Sequence, residues 1–131
     1  VVALSETTQP FNVLVIPVEG PVERHTLEAG GDSLAFLQNL VGGWIEAVGV
    51  PSFISGSDKA SAYVNEEGKL HGLVPNMRAT DFMVPGVGIG WGDYIAGPLV
   101  LAGFDPETGD NAPEVPDGVE RRVRLIEREA A

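Results

Sequence analysis

Phe11-Asn12-Val13-Leu14-Val15-Ile16-Pro17-Val18 is the stretch on which the fold turns. It is β-branched or apolar almost without interruption. A strand with one wet face alternates apolar and polar residues, whereas a continuous run of this length reads as a buried, central strand. Pro17 limits it, because proline gives no hydrogen bond to a ladder. Before it, Val1 to Gln9 is a polar lead-in. After it, Glu19-Gly20-Pro21 is a turn and Val22 to Leu27 an exposed strand. Gly30-Gly31 then break the chain, and Asp32 can cap a helix over Ser33–Val41. Leu34, Leu37 and Val41 share one helical face, with Phe36 and Leu40 beside it, and Gly42-Gly43 supply a left-handed stop. Trp44 to Val50 reads as a strand with Trp44 in the core. Pro51 to Lys59 is a polar loop.

Ala60–Val64 and Leu70–Val74 read as a hairpin closed by Asn65-Glu66-Glu67-Gly68-Lys69. Met77 to Val84 fits either helix or strand. Pro85 to Gly92 has glycine at every second place, and Tyr94 to Phe104 is an apolar strand interrupted at Gly97-Pro98. Asp105 to Gly118, acidic and rich in proline and glycine, reads as a linker. Asp117 can cap a last helix, with Glu120 placed as in a capping box. On that helix Val119, Val123 and Ile126 would face inward, and Glu120 and Arg124 would pair one turn apart. A strand through Val123 and Leu125 is the alternative. Together these elements predict one α+β domain over residues 1–131, with its core in 11–104. Its sheet would be mixed or mainly antiparallel with about five strands, covered by one helix, and the C-terminal helix would lie at an edge or reach a neighbour.

The 131 residues carry a net charge of −11 and no cysteine, with 44% hydrophobic and 21% charged residues. Disulfides and thiolate chemistry are excluded. Half of the eight basic residues sit together as Arg121, Arg122, Arg124 and Arg128, so the body is more acidic than the total suggests. Such a surface repels phosphate backbones, which argues against direct nucleic-acid binding by the body. No apolar run approaches the ~20 residues of a membrane span. No basic stretch precedes an apolar one near Val1, so no signal peptide is expected.

The order of several segments resembles an uncharacterised family, a domain of unknown function found in bacteriophages, plasmids and integrative elements. The segments are Val13-Leu14-Val15-Ile16-Pro17, Val41-Gly42-Gly43-Trp44-Ile45-Glu46-Ala47-Val48, Asn65-Glu66-Glu67-Gly68-Lys69-Leu70, Gly72-Leu73-Val74-Pro75-Asn76 and Gly92-Asp93-Tyr94-Ile95-Ala96-Gly97. Tryptophan stands at 44 where that family usually has tyrosine. The resemblance covers roughly residues 11 to 104. It implies an accessory protein of a phage or mobile element, acting in the cytoplasm of a bacterial host, and it implies no reaction.

No residue set forms a recognisable catalytic constellation. The alternating glycines of 85–92 lack the Gly-Lys-Ser/Thr ending and the following helix of a phosphate loop. His25 and His71 have no ligand spacing, so no metal and no cofactor are expected. Glu66 and Glu67 read as a solvated turn beside an Asn65 bonded to local backbone. Glu46, inside an apolar strand, would need Arg78 or another partner if it faced inward. The expectation is therefore a binding protein without enzymatic activity. One version is a protein partner met through the acidic surface, acting as a DNA mimic. The other is docking of a partner or a second copy through Arg122, Val123 and Ile126, with Trp91 as an exposed aromatic. The competing expectation is a small ligand of nucleotide type, held by Glu46, Asn65, Asn76, Arg78 and Asp93.

Overall fold

Two almost wholly apolar strands organise the molecule. In the computed structural model, β1 (Phe11–Ile16) and a later strand, Leu99–Phe104, lie side by side and are buried on both faces. The structure describes residues 6–50, 59–83 and 93–130, and for 129 and 130 only the backbone. In chain order the elements are β1, β2 (Glu23–Leu27), α1 (Ser33–Val41), β3 (Ile45–Gly49), β4 (Ala60–Asn65), α2 (Met77–Met83), β5 (Leu99–Phe104), β6 (Asn111–Ala112) and α3 (Asp117–Ala130). The sheet runs β2-β1-β5-β4-β3, with β6 also on β5, and every pairing is antiparallel.

Alternation along each strand sends side chains to two cores. On one face Phe11, Val13, Val15, Tyr63, Val100 and Ala102 meet Leu37 and Val41 of α1. On the other, Leu14, Ile16, Ala62, Val64, Leu99 and Leu101 meet Phe82 and Met83 of α2 and Val119 and Val123 of α3. A sheet covered on both sides leaves its inner strands no wet face, which is why β1 and β5 read as continuous apolar runs.

Asp32 caps α1 by accepting from Ala35 N–H at 3.1 Å, and Gly42 ends it at φ 80°. The last helix starts differently from the expected capping box. Pro116 O accepts from the Val119 and Glu120 N–H groups, so Asp117 lies inside the first turn rather than at the cap. There it and Glu120 complement the positive end of the helix dipole. Glu120 turns to Arg24 on β2, at 3.4 Å, instead of to Arg124, and Arg24 also reaches Glu127 at 3.5 Å.

Three further expectations give way. Leu70–Val74 is not a strand. The chain after Asn65 coils through a series of turns, with His71 N–H bonded to Glu67 O and Leu73 N–H to Gly68 O. Leu70 and Val74 stay 81% and 61% exposed, so they have no sheet face to fill. Only Pro75 bridges, to Ala96. Trp44 is 67% exposed instead of core, because β3 is an outer strand and Trp44 lies just before its first residue, at the end of the sheet. Residues 105–118 are not a free linker: β6 pairs with β5, the Asn111 side chain is buried, and Pro113 O accepts from Asn12 N–H at 2.9 Å.

That return of the chain makes Gly103 a fixed point. A Cβ there would lie 2.1 Å from the backbone oxygen of Glu114 and 3.0 Å from Ala112 Cβ. Backbone cannot rotate away as a side chain can. Gly103→Ala is expected to cost about 3 kcal/mol through forced displacement of β6, seen as a Tm lower by roughly 10 °C.

Candidate functional site

β4 ends at Asn65, and the turn that leaves it builds one side of the site. The Asn65 carbonyl Oδ1 accepts from Glu67 N–H at 2.9 Å, closing an Asx turn. Its Nδ2 donates to Val41 O at 3.3 Å, which ties the turn to the end of α1. Gly68 is buried against the 93–96 segment, where a Cβ would meet Ala96 O at 2.9 Å. The Pro75–Ala96 bridge holds that segment from the other side. Lys69 consequently meets Asp93 in an ion pair, and its Nζ lies 4.6 Å from the centre of the Tyr94 ring.

Between β3, this turn and residues 93–96 lies a cleft of about 530 Å³. Glu46, Glu66, Glu67 and Asp93 line it, with Val48, Val64 and Ile95 at its floor and Tyr94 and Leu70 at its rim. Among the described residues Lys69 is the one cation of the lining, and Asp93 already engages it. Glu67 bonds the ring of His71 at 2.6 Å. Among the described residues the lining is thus acidic over an apolar base, with one aromatic ring, over which Lys69 already lies. Such a combination attracts ammonium and guanidinium groups and repels phosphate.

Lys69 and the Tyr94 backbone N–H hold the Asp93 carboxyl below the ordinary aspartate value. A depressed folded pKa stabilises the fold above the unfolded value of about 3.9, and the contribution is lost as pH falls through the lower folded value. The pair is exposed, so its contribution stays under about 1 kcal/mol. Asp93→Asn should therefore leave stability near pH 7 almost unchanged and flatten the stability profile below about pH 4. Urea denaturation over a pH series would measure this.

The cleft gathers Glu46, Asn65 and Asp93 from the expected ligand set, but not Asn76 or Arg78. Glu46 is exposed and opposes Val64 in the β3–β4 register, facing the cleft and not the core. It does not need Arg78, whose guanidinium donates to Gly20 O at 2.8 Å and to Pro17 O, holding the turn after β1. Asn76 is wholly buried. Its Nδ2 donates to Ile16 O at 2.8 Å and Gly97 O at 2.9 Å, while its Oδ1 accepts from Ala79 N–H at 3.0 Å. Every hydrogen-bonding atom of that amide serves the fold.

The expected docking residues are likewise used internally. Val123 is fully buried and Ile126 packs against the same cluster. Arg122 donates to Phe82 O at 3.0 Å and Asp81 O at 3.2 Å, satisfying carbonyls at the end of α2, and it lies over the Phe82 ring. Trp91 lies outside the described residues, as do the glycine-rich 85–92 stretch and most of the 51–59 loop. The residues that sequence reading missed as a site are Lys69, Tyr94 and the Glu66-Glu67 pair. Their signal was present in the Asn65–Leu70 and Gly92–Gly97 segments, but nothing in a linear order shows that those segments touch. Among the described residues, no three His, Asp or Glu side chains converge to hold a metal ion, and no helix is long and apolar enough to cross a membrane.

The model of a family described as a domain of unknown function, DUF3846, matches residues 11–125. The chain belongs to that family. The match runs past Phe104 through β6 and most of α3, so the family unit includes the segment that sequence reading set apart as linker and terminal helix. No curated protein matches the chain. Among solved structures it is similar to a small RNA methyltransferase, HEN1, at a TM-score of 0.59 and 18% identity over 92% of this chain. The chain spans 16% of the length of that structure. At this identity the likeness concerns the fold alone.

Proposed function

We propose that this DUF3846 chain is a non-enzymatic binding protein, an accessory protein of a phage or mobile element that acts on a host or phage protein in the bacterial cytoplasm. The observation that carries the reading is the cleft, where the Glu46 and Glu66 carboxylates have no bonded partner among the described residues, beside the Lys69–Asp93 and His71–Glu67 pairs. The partner it suits presents lysine or arginine, as proteins that handle nucleic acid do on their working surfaces. Complementary charge of this kind raises the rate of encounter and selects against acidic competitors. A nucleotide fits poorly, since phosphate would meet the same carboxylates and since Asn76 and Arg78 are engaged elsewhere.

The test is affinity capture from bacterial lysate at low and high salt, with the wild-type chain beside Glu46→Lys/Glu66→Lys. Both glutamates are exposed and neither carboxylate bonds another described group, so the double variant should keep the fold. The expected result is a basic protein retained at low salt by the wild type and lost in the variant. Equal retention by both would shift the reading to the acidic surface as a whole, in the manner of a DNA mimic. No salt-sensitive partner from any host lysate would overturn it.

A further inference from the structure

We infer that the partner segment binds as an extended, basic strand added to the free edge of β3; this rests on the cleft being the binding site. The backbone supports it first. Glu66 N–H donates to Trp44 O at 2.8 Å. Residues facing each other in an antiparallel pair alternate between bonded and non-bonded. With Trp44 opposite Glu66 bonded, Glu46–Val64 and Val48–Ala62 are bonded too. Ile45, Ala47 and Gly49 therefore turn their N–H and C=O groups outward, away from β4. Among the described residues β3 pairs with β4 alone, and none of those outward groups has a partner.

Proteins usually guard such an edge with charge, proline or a bulge. The opposite edge is guarded: β2 reads Glu-Arg-His-Thr-Leu, and Arg24 is held by Glu120 and Glu127 of α3. β3 reads Ile-Glu-Ala-Val-Gly, with no lysine, no proline and one acid, and Ala47 and Gly49 are exposed. Among the described residues it is the unguarded edge of the sheet, and it forms one wall of the acidic cleft.

Charge selects the occupant. A second copy of the chain would bring two such clefts together, each on a body of net charge −11. A basic strand gains where that copy would lose. Along an added strand alternate side chains fall on the face of Glu46 and Val48, over the cleft. The segment recognised should therefore carry lysine or arginine at every second position. Between them, small or apolar residues would lie on the face of Ile45 and Ala47.

The test uses a fluorescein-labelled peptide of alternating lysine and valine, followed by polarisation against the full chain. Saturable, salt-sensitive binding is expected, with none for the peptide in which glutamate replaces lysine. N-methylation of the peptide at alternate residues separates backbone pairing from charge. In one phase it should weaken binding about tenfold or more, and in the other leave it unchanged. On the protein, Ala47→Pro removes one outward N–H at a free edge, where proline is tolerated. It should weaken binding to a similar degree while circular dichroism stays that of the wild type, and Ala47→Ser should bind normally. Equal binding of both N-methylated phases, or full binding by a folded Ala47→Pro, overturns strand addition. So does a concentration-dependent dimer, in sedimentation, that Ala47→Pro abolishes. If the partner captured from lysate is lost in Glu46→Lys/Glu66→Lys but kept by Ala47→Pro, the cleft survives as the site and the strand mode falls. If neither variant loses it, both fall.

Discussion

Replacing Asn76 by alanine is expected to destabilise the fold by about 4 kcal/mol. The helix cap on Ala79 N–H contributes ~1 kcal/mol of that. The remainder comes from Ile16 O and Gly97 O, which lose their donors in a site with no exposure, at about 1–3 kcal/mol each. Against a total stability of roughly 5–15 kcal/mol such a loss is large. Asn76→Asp is the sharper probe. It keeps the oxygen that caps α2 but points a second oxygen at two carbonyls, where a proton is needed. Burial and that contact would raise the new carboxyl's folded pKa above its unfolded value. Its penalty therefore grows as pH rises through the unfolded value and shrinks as pH falls below it. Relative to the wild type, the aspartate variant should recover stability toward about pH 4. Urea denaturation at pH 4 and pH 7 would show it. A ligand-contacting role for Asn76 would instead leave stability near wild type in both variants.

Val123→Asp is expected to unfold the α3 side of the molecule, at a cost of at least about 4 kcal/mol. Val123 has no exposure and sits with Leu14, Phe82, Leu101 and Val119. A carboxylate there has no partner, and burying it uncompensated carries a large desolvation cost. Leu125→Asp, two residues on but 52% exposed, should stay within about 0.5 kcal/mol of wild type. Amide exchange would locate the damage, with protection lost along α3 and α2 in the first variant and kept in the second. A helix that existed to dock a partner would show the reverse: Leu125→Asp would lose the partner, and Val123→Asp would keep its fold.

The local signals in the chain were sufficient for much of the architecture. A nearly continuous apolar run made β1, and the Asp32 cap with the Gly42 stop bounded α1, because both depend on interactions within a few residues. The α+β class came from those elements, and the family segments were legible in order. Three things were decided by tertiary contact. The sheet is covered on both faces, so α3 packs inward and Val123 is core; amphipathicity alone says that a helix buries one side, not against what. Leu70–Val74 is apolar enough for a strand, yet the sheet offers it no neighbour and Gly68 packs on Ala96 instead. The candidate site itself joins Glu46, Asn65 and Lys69 to Asp93 and Tyr94 through the Pro75–Ala96 bridge, the packing of Gly68 on Ala96 and the Lys69–Asp93 pair. In that same act Asn76 and Arg78 are drawn into the fold's own hydrogen bonds. Polarity in a sequence marks residues that need partners, and only the folded chain determines whether the partner is its own backbone or another molecule.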